Sequence, residues 1–364
     1  MGERTTLRLD MEQLSTHSEA DAIARELRAL SPDYAPTPLL SLPDLATRLG
    51  VASVMAKNEG KRTLGSFKSL GGTYAGLRAL AKHAGTDITT IVGGSDLGRS
   101  LPPLITASAG NHGLAVAAAA QFAGSRARIF LYPGVSVSRR RRIAERGAEI
   151  VEIDGTYDDA VAAAQAAAIA GEGILVADTS ADPSDPVVAD VIAGYGVITM
   201  EIKRDVEATG HSRPSHLFVQ AGVGGLAAAL AAGLSDWMAE PRKIVVVEPV
   251  SAACVSAALE SGSTIRVPGE LLTSASMLAC GEASGPALKT LGPMKVDTIA
   301  LGEAALLSAP TTLRDGGGPF TSPSGAAGLA GLIAASADGM LAAGLSLDRD
   351  SRVLVVITEA ELSD

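Results

Sequence analysis

Lys68 lies in the segment "GSFKSLGGTYAG", with Phe67 before it and Gly71 and Gly72 just after. The pattern reads as the start of a helix, where the backbone dipole disfavours a cation. A lysine so placed either finds an anion or tends to lose its proton, and a lysine with a lowered pKa forms Schiff bases with aldehydes. The plainer reading is a solvated lysine. Two turns elsewhere could complete a site. In "TASAGNHGLAV" a helix opens after a short strand, and the backbone N–H groups of Ser108, Ala109 and Gly110 there make an anion site suited to a carboxylate or phosphate. Asn111 adds a side-chain donor at the same mouth; alternatively the turn is an ordinary Ser/Asn helix cap. In "QAGVGGLAAAL", Gly222, Gly224 and Gly225 let the backbone wrap closely around a phosphate. That turn also fits the dinucleotide pattern G-x-G-x-x-A through Gly222, Gly224 and Ala227, with Glu248 ending the next strand where a ribose-binding acid would lie. Against a nicotinamide enzyme, a dinucleotide fold usually begins with this unit, and here much βα structure precedes it. Close helix–strand packing is a third reading of the same glycines. Asp178 ends "ILVAD", either as a turn cap for "TSADPSDP" or as an acid facing a ligand.

These turns need strands and helices to hold them. The candidate strands are "SVMAK", "LITAS", "RIFLY", "EIVEID", "ILVAD", "HLFVQA", "KIVVVEP", "DTIAL" and "VLVVIT". They alternate with Ala-rich helical runs such as "HGLAVAAAAQFAG". Repeated units of this kind predict an α/β fold with parallel sheets flanked by helices, and ligands outside the carboxyl ends of the strands. The first 50 residues read as an irregular lead-in with one helix near Ala20–Leu30. Gly-, Ser- and Pro-bearing stretches at 85–103 and 203–215 read as crossings between two domains. The expected division is a large domain of 1–88 and 206–364 and a small inserted domain of 89–205.

Aromatic residues are 3% of a chain that is 47% hydrophobic, so the core is built from Ala, Val, Leu and Ile. A net charge of −10 argues against a nucleic-acid partner. The one basic run, Arg139–Arg142, reads as a solvated helix face. Two cysteines give neither a disulfide framework nor zinc spacing, which points to a reducing cytoplasm and no metal. No long apolar run or signal segment argues for a membrane.

A phosphate cradle, a Schiff-base lysine and an anion-binding helix mouth together match one ligand pair, pyridoxal 5'-phosphate and an amino-acid carboxylate. With those segments, "GAEIVEIDGTYDDAV", "LACGEASGPAL", "TSPSGAAGLAGL" and "VVITEAELSD" follow in order, and the chain resembles the fold-type II (tryptophan-synthase-β-like) pyridoxal-phosphate enzymes, most of all the diaminopropionate ammonia-lyases. The resemblance implies a two-domain enzyme, a homodimer, acting on a small amino-acid substrate. It implies that Lys68 carries the cofactor, Asn111 bonds its phenolic oxygen and Thr358 faces the pyridine nitrogen. Gly222, Val223, Gly224, Gly225 and Leu226 would cradle the phosphate, and the backbone of Ser108, Ala109, Gly110, Asn111 and His112 the substrate carboxylate. Glu248 becomes a structural residue. The implied reaction is β-elimination through an aminoacrylate to a 2-oxo acid and ammonia, with Asp178 and Lys68 as proton carriers. Ala109 and Pro323 depart from the lyase pattern, which has an acid at each place. Since the acid expected at 109 and the one retained as Asp178 are thought to serve opposite enantiomers, Ala109 implies preference for one, the L form. The same scaffold also serves β-replacement synthases and serine/threonine dehydratases. A nicotinamide oxidoreductase and a non-catalytic cofactor-binding protein are the readings from other classes.

Overall fold

The computed structural model describes residues 19–92 and 101–361. Its strands in chain order are β1 (Leu39–Ser41), β2 (Ser53–Asn58), β3 (Leu104–Thr106), β4 (Ala127–Leu131), β5 (Glu149–Glu152), β6 (Ile174–Leu175), β7 (His216–Gln220), β8 (Lys243–Pro249), β9 (Asp297–Leu301) and β10 (Arg352–Ile357). They form a six-stranded sheet, β1-β2-β10-β7-β8-β9, and a four-stranded sheet, β5-β4-β3-β6. Every pairing is parallel except β1 with β2. The central strand β10 is buried on both faces, as a parallel strand covered by helices must be. Leu354 and Val356 enter one apolar cluster, while Val353, Val355 and Ile357 enter the other.

The two glycines after Lys68 answer to close packing. The helix Lys68–Ala84 runs between the helices Asn111–Phe122 and Pro186–Thr209. A Cβ on Gly71 would lie 2.4 Å from the Val191 carbonyl oxygen, and one on Gly72 2.6 Å from Ala115 Cβ. Small residues therefore seat this helix, and its first residue, Lys68, is fixed with it. The loop before Lys68 is held to the end of β10: Phe67 N–H donates to Thr358 O (3.2 Å) and Ala360 N–H to Gly65 O (2.9 Å). A buried charge network braces the same loop. Arg62 donates to Glu59 (2.8 Å) and Glu201 (2.6 Å), and Lys57 pairs with Glu201 at 2.8 Å.

One expectation changes, and the two stretches read as crossings gain a local description. The lead-in is more regular than its prolines imply: β1 pairs with β2, and Pro43 opens the helix Pro43–Leu49 from its first turn, where a missing N–H costs nothing. The crossing expected at 203–215 is mostly helix, because Pro186–Thr209 continues to Gly210, whose φ of +69° ends it. Of the expected crossing at 85–103, Ile88–Val92 is helical and residues 93–100 lie outside the described residues. Among the described residues no single helix is long and apolar enough to cross a membrane.

Candidate active site

The carboxyl ends of the two sheets bring the chemistry-bearing turns together. Lys68 Nζ donates to Asp178 Oδ2, from a helix start beside the large sheet to the loop after β6 in the small one. Both side chains are part-buried. Burial works against each charge, but the pair outweighs it. The Asp178 carboxylate holds the ammonium well above the usual lysine range, and Lys68 holds that carboxylate well below the usual carboxylate range. The cation at an unfavourable helix start thus has its anion.

Beside it, β3 delivers Ser108–Asn111. Gly110 precedes the helix Asn111–Phe122, which no side chain caps, so its first N–H groups face the cleft. His112 is buried and turned away: its Nε2–H donates to Val176 O at 2.9 Å, and burial lowers its pKa, keeping it neutral. Only its backbone can serve a substrate at this mouth. Asn111 Nδ2 donates to Glu359 Oε2 at 2.6 Å, which uses one of its two N–H donors and leaves the other. Glu359 also accepts from Ser322 Oγ.

The third turn follows β7. Gly224, at φ +94°, adopts the left-handed conformation that side chains resist, and opens the helix Gly225–Leu234, again without a side-chain cap. A Cβ on Gly222 would lie 3.0 Å from Cys280 Sγ and 3.3 Å from Met277 O. Met277 also approaches Gly110, its Sδ 3.4 Å from where a Cβ there would be. The stretch 276–280 therefore lies against both anion-binding turns. Val223 O accepts from Ser284 N–H (2.9 Å), and Leu226 is buried under the turn. Thr358, just past β10, accepts at its hydroxyl from Gln220 Nε2 (3.1 Å). That amide also donates toward the Ser324, Gly325 and Val356 carbonyls.

The pyridoxal-phosphate dependent enzyme family model matches residues 30–359. The chain belongs to that family. A diaminopropionate ammonia-lyase of Salmonella typhimurium is 33% identical over 91% of this chain and 87% of its own length. The holo structure of diaminopropionate ammonia-lyase from Escherichia coli superposes with a TM-score of 0.84 at 30% identity, covering 94% of this chain and 88% of that one. The E. coli enzyme in complex with an aminoacrylate-PLP azomethine reaction intermediate superposes with a TM-score of 0.83 at 30% identity, covering 94% and 89%.

The cofactor of the family, pyridoxal 5'-phosphate, fits the residues present. A phosphate needs uncapped N–H groups, and the Gly224–Gly225 turn supplies them at a helix start. Beside that turn the Ser284 hydroxyl is buried without a partner. An aldehyde needs an amine, and Lys68, whose Nζ meets Asp178 at the carboxyl ends of the sheets, would be the amine at hand. A ring nitrogen needs a neutral partner, and the Thr358 hydroxyl keeps its own proton to donate while accepting from Gln220.

Glu248 has a different place. Its carboxylate accepts from the N–H groups of Val255 (2.8 Å) and Ser256 (2.9 Å), capping the helix Cys254–Ser261. That is a structural role, not a ribose contact. Burial pushes its carboxyl up to about 7, against the pull of those two donors. A carboxyl raised on folding stabilises the fold while protonated. Its contribution is full below about pH 4.5 and is lost as pH rises through about 7, a difference on the order of 3 kcal/mol. Relative to wild type, Glu248→Gln should therefore gain thermal midpoint between pH 5 and pH 8. A pH-independent difference between the two proteins would show that the carboxyl keeps one charge state throughout.

Proposed function

We propose that this chain catalyses pyridoxal-phosphate-dependent β-elimination from a small β-substituted amino acid such as 2,3-diaminopropionate, releasing a 2-oxo acid and ammonia. The observation that carries the reading is the Lys68–Asp178 pair, an amine and an acid in contact beside a phosphate-type cradle and a carboxylate-type mouth. The ammonia-lyase activity of the 30–33% identical relatives supports it.

When bound, the cofactor accepts the electron pair left on Cα as its proton departs. In this reading Lys68 holds the cofactor aldehyde, and the backbone of Gly222–Leu226 holds its phosphate. The second N–H of Asn111 would serve the cofactor's phenolic oxygen, and the Thr358 hydroxyl, a neutral partner, would serve the ring nitrogen without charging it. The mouth at Ser108–His112 orients the substrate by its carboxylate. Asp178 and the Lys68 amine, which contact each other, would take the Cα proton and supply the one that the departing group gains. The Cα–H and Cβ–N bonds break, a Cα–Cβ double bond forms, and the β-amine leaves with its electron pair and gains a proton. Water then displaces the remaining nitrogen, so diaminopropionate plus one water gives pyruvate and two ammonia.

We further propose that 89–205, which carries β3 to β6, forms the small domain, with 1–88 and 206–364 as the large one, and that the enzyme is a cytoplasmic homodimer. The test of function is a coupled assay for 2-oxo acid release with purified, cofactor-loaded protein on β-substituted L- and D-amino acids. Release from L-2,3-diaminopropionate or β-chloro-L-alanine is expected. A new amino acid formed only when a second nucleophile is added would replace elimination with β-replacement.

A stereochemical preference follows from the uneven acids. Asp178 contacts Lys68, whereas Ala109 offers no proton carrier at the opposite turn. The rate on D-2,3-diaminopropionate should be lower than on the L form by ~10²-fold or more, the smaller end of what a positioned base contributes. Similar rates on both would remove Ala109 as the discriminating position. The E. coli lyase solved in complex with D-serine is the natural comparison for this assay.

A further inference from the structure

The four arginines of the run "RRRR" divide by helix face. On Val137–Ala144, Arg140 pairs with Glu152 at 2.5 Å and Arg141 with Glu145 at 2.8 Å, both partners standing in solvent. Arg139 and Arg142, three apart and so neighbours on one face, have no carboxylate within 4 Å among the described residues. Both instead line the cleft that begins at Ala109, Gly110 and Asn111. The cleft continues past Met277 into a space of about 440 Å³ bordered by the same two arginines and by Ser276 and Ser322. Arg142 is anchored from behind, its Nη2 donating to Leu64 O at 3.2 Å, in the loop that precedes Lys68.

Glu359 and Glu361 also border this space. Glu359 accepts from the neutral Asn111 and Ser322 and its charge acts on Arg142 from beyond ion-pair distance, which leaves Arg139 the freer of the two, and Glu361 lies at the exposed rim. Arg139 and Arg142 thus border the same cleft as the turn whose uncapped N–H groups suit a carboxylate, and among the described residues neither forms an ion pair. Arginine is suited to this task because its planar fork meets carboxylate and phosphate oxygens in pairs.

On the β-elimination reading above, we propose that Arg139 and Arg142 form the subsite for the substrate's far end and select amino acids whose β-substituent carries negative charge, such as a phosphate ester. The elimination balances as before: the Cα–H and Cβ–O bonds break, and phosphate leaves with the bonding pair. One water then releases ammonia, so O-phosphoserine gives pyruvate, ammonia and inorganic phosphate.

The test uses cofactor-loaded wild type, Arg139→Gln, Arg142→Gln and Arg142→Lys. The substrates are O-phospho-L-serine (anionic), β-chloro-L-alanine (neutral) and L-2,3-diaminopropionate (cationic). Each Gln variant should lower the ratio of kcat/KM for O-phosphoserine over β-chloroalanine by ~10-fold or more, the loss expected for one charge-assisted pair. Arg142→Lys should restore part of it. Equal losses on both substrates would overturn the proposal, because the arginines would then serve the α-carboxylate or the fold. An unchanged ratio would also overturn it. Binding of O-phospho-L-serine and L-serine, followed by the cofactor's absorbance, separates this proposal from the reaction it rests on. If nothing is eliminated yet phosphoserine binds more tightly than serine through these arginines, the reaction reading fails and the subsite stands. If elimination proceeds and charge makes no difference, the subsite alone falls. Inorganic phosphate should compete with O-phosphoserine; phosphate that alters turnover of β-chloroalanine without such competition would make the cleft a regulatory anion site instead.

Discussion

Lys68→Ala is expected to lower 2-oxo acid release by ~10³-fold or more, since on the proposed reading one residue would both carry the cofactor and move a proton. Borohydride reduction of the wild-type protein should leave a pyridoxyl group on the peptide containing Lys68, and reduction of the variant should leave none. The other two lysines of this region are unsuited for physical reasons. Lys57 is fully buried with its ammonium held by Glu201 and by the Thr37 carbonyl at 2.6 Å, and Lys61 is exposed. A pyridoxyl label on either of them would sink the assignment. The variant should fold, because the seat of its helix is made by Gly71, Gly72 and their neighbours rather than by the lysine. Its Asp178, no longer facing an ammonium, should titrate at higher pH, since burial is then the larger influence on it. Retention of cofactor by the variant without covalent linkage would locate the remaining affinity in the glycine turn after β7.

What the sequence disclosed and what it concealed divide along the distance over which residues interact. Strands β2 and β7 to β10 are local patterns of β-branched residues, and they stand where those patterns predict them, within a residue at the ends. The turns at Ser108 and Gly222 are local too, because a glycine-rich break between strand and helix carries its own geometry. Gln220 and Glu359 went unremarked although both fall inside segments that carried the family resemblance. Their roles depend on partners far along the chain, Thr358 for Gln220 and Asn111 for Glu359, and no pattern of spacing announces such pairs. The arginine run shows the same limit. Its composition reads as a solvated face, and only the fold separates Arg140 and Arg141, paired in solvent, from Arg139 and Arg142, which turn toward the cleft. The Lys68 helix joins both kinds of information. Its glycines stand beside Lys68 in the sequence without a stated role, and their task in the fold is to bring three helices close enough to fix the lysine.

Asp178→Asn is expected to retain the fold and the cofactor's visible absorption while slowing turnover by ~10²–10⁴-fold, the usual span for a positioned acid or base. The alternative, that Asp178 caps the turn after β6, receives no support from its contacts. Asp185 caps the following helix through Val187 N–H and Val188 N–H, Asp182 accepts from Ser184 N–H, and the Asp178 carboxylate goes to Lys68. The pair also explains how a carboxylate held below its usual range can act as a base. Lys68 keeps it ionised only while the lysine is charged, and burial acts in the opposite direction. Burial is the largest single influence on Asp178, and neutralising the amine removes the chief one that opposes it, so the carboxylate's proton affinity rises and the acid becomes a better base when the lysine is otherwise engaged. Steady-state rates and thermal midpoints of Asp178→Asn and Asp178→Ala distinguish the possibilities. A large loss of rate at an unchanged midpoint assigns the proton to Asp178. A rate near that of wild type, with the midpoint lowered, would leave proton transfer to Lys68 alone and make Asp178 the counter-ion that keeps the amine charged between turnovers.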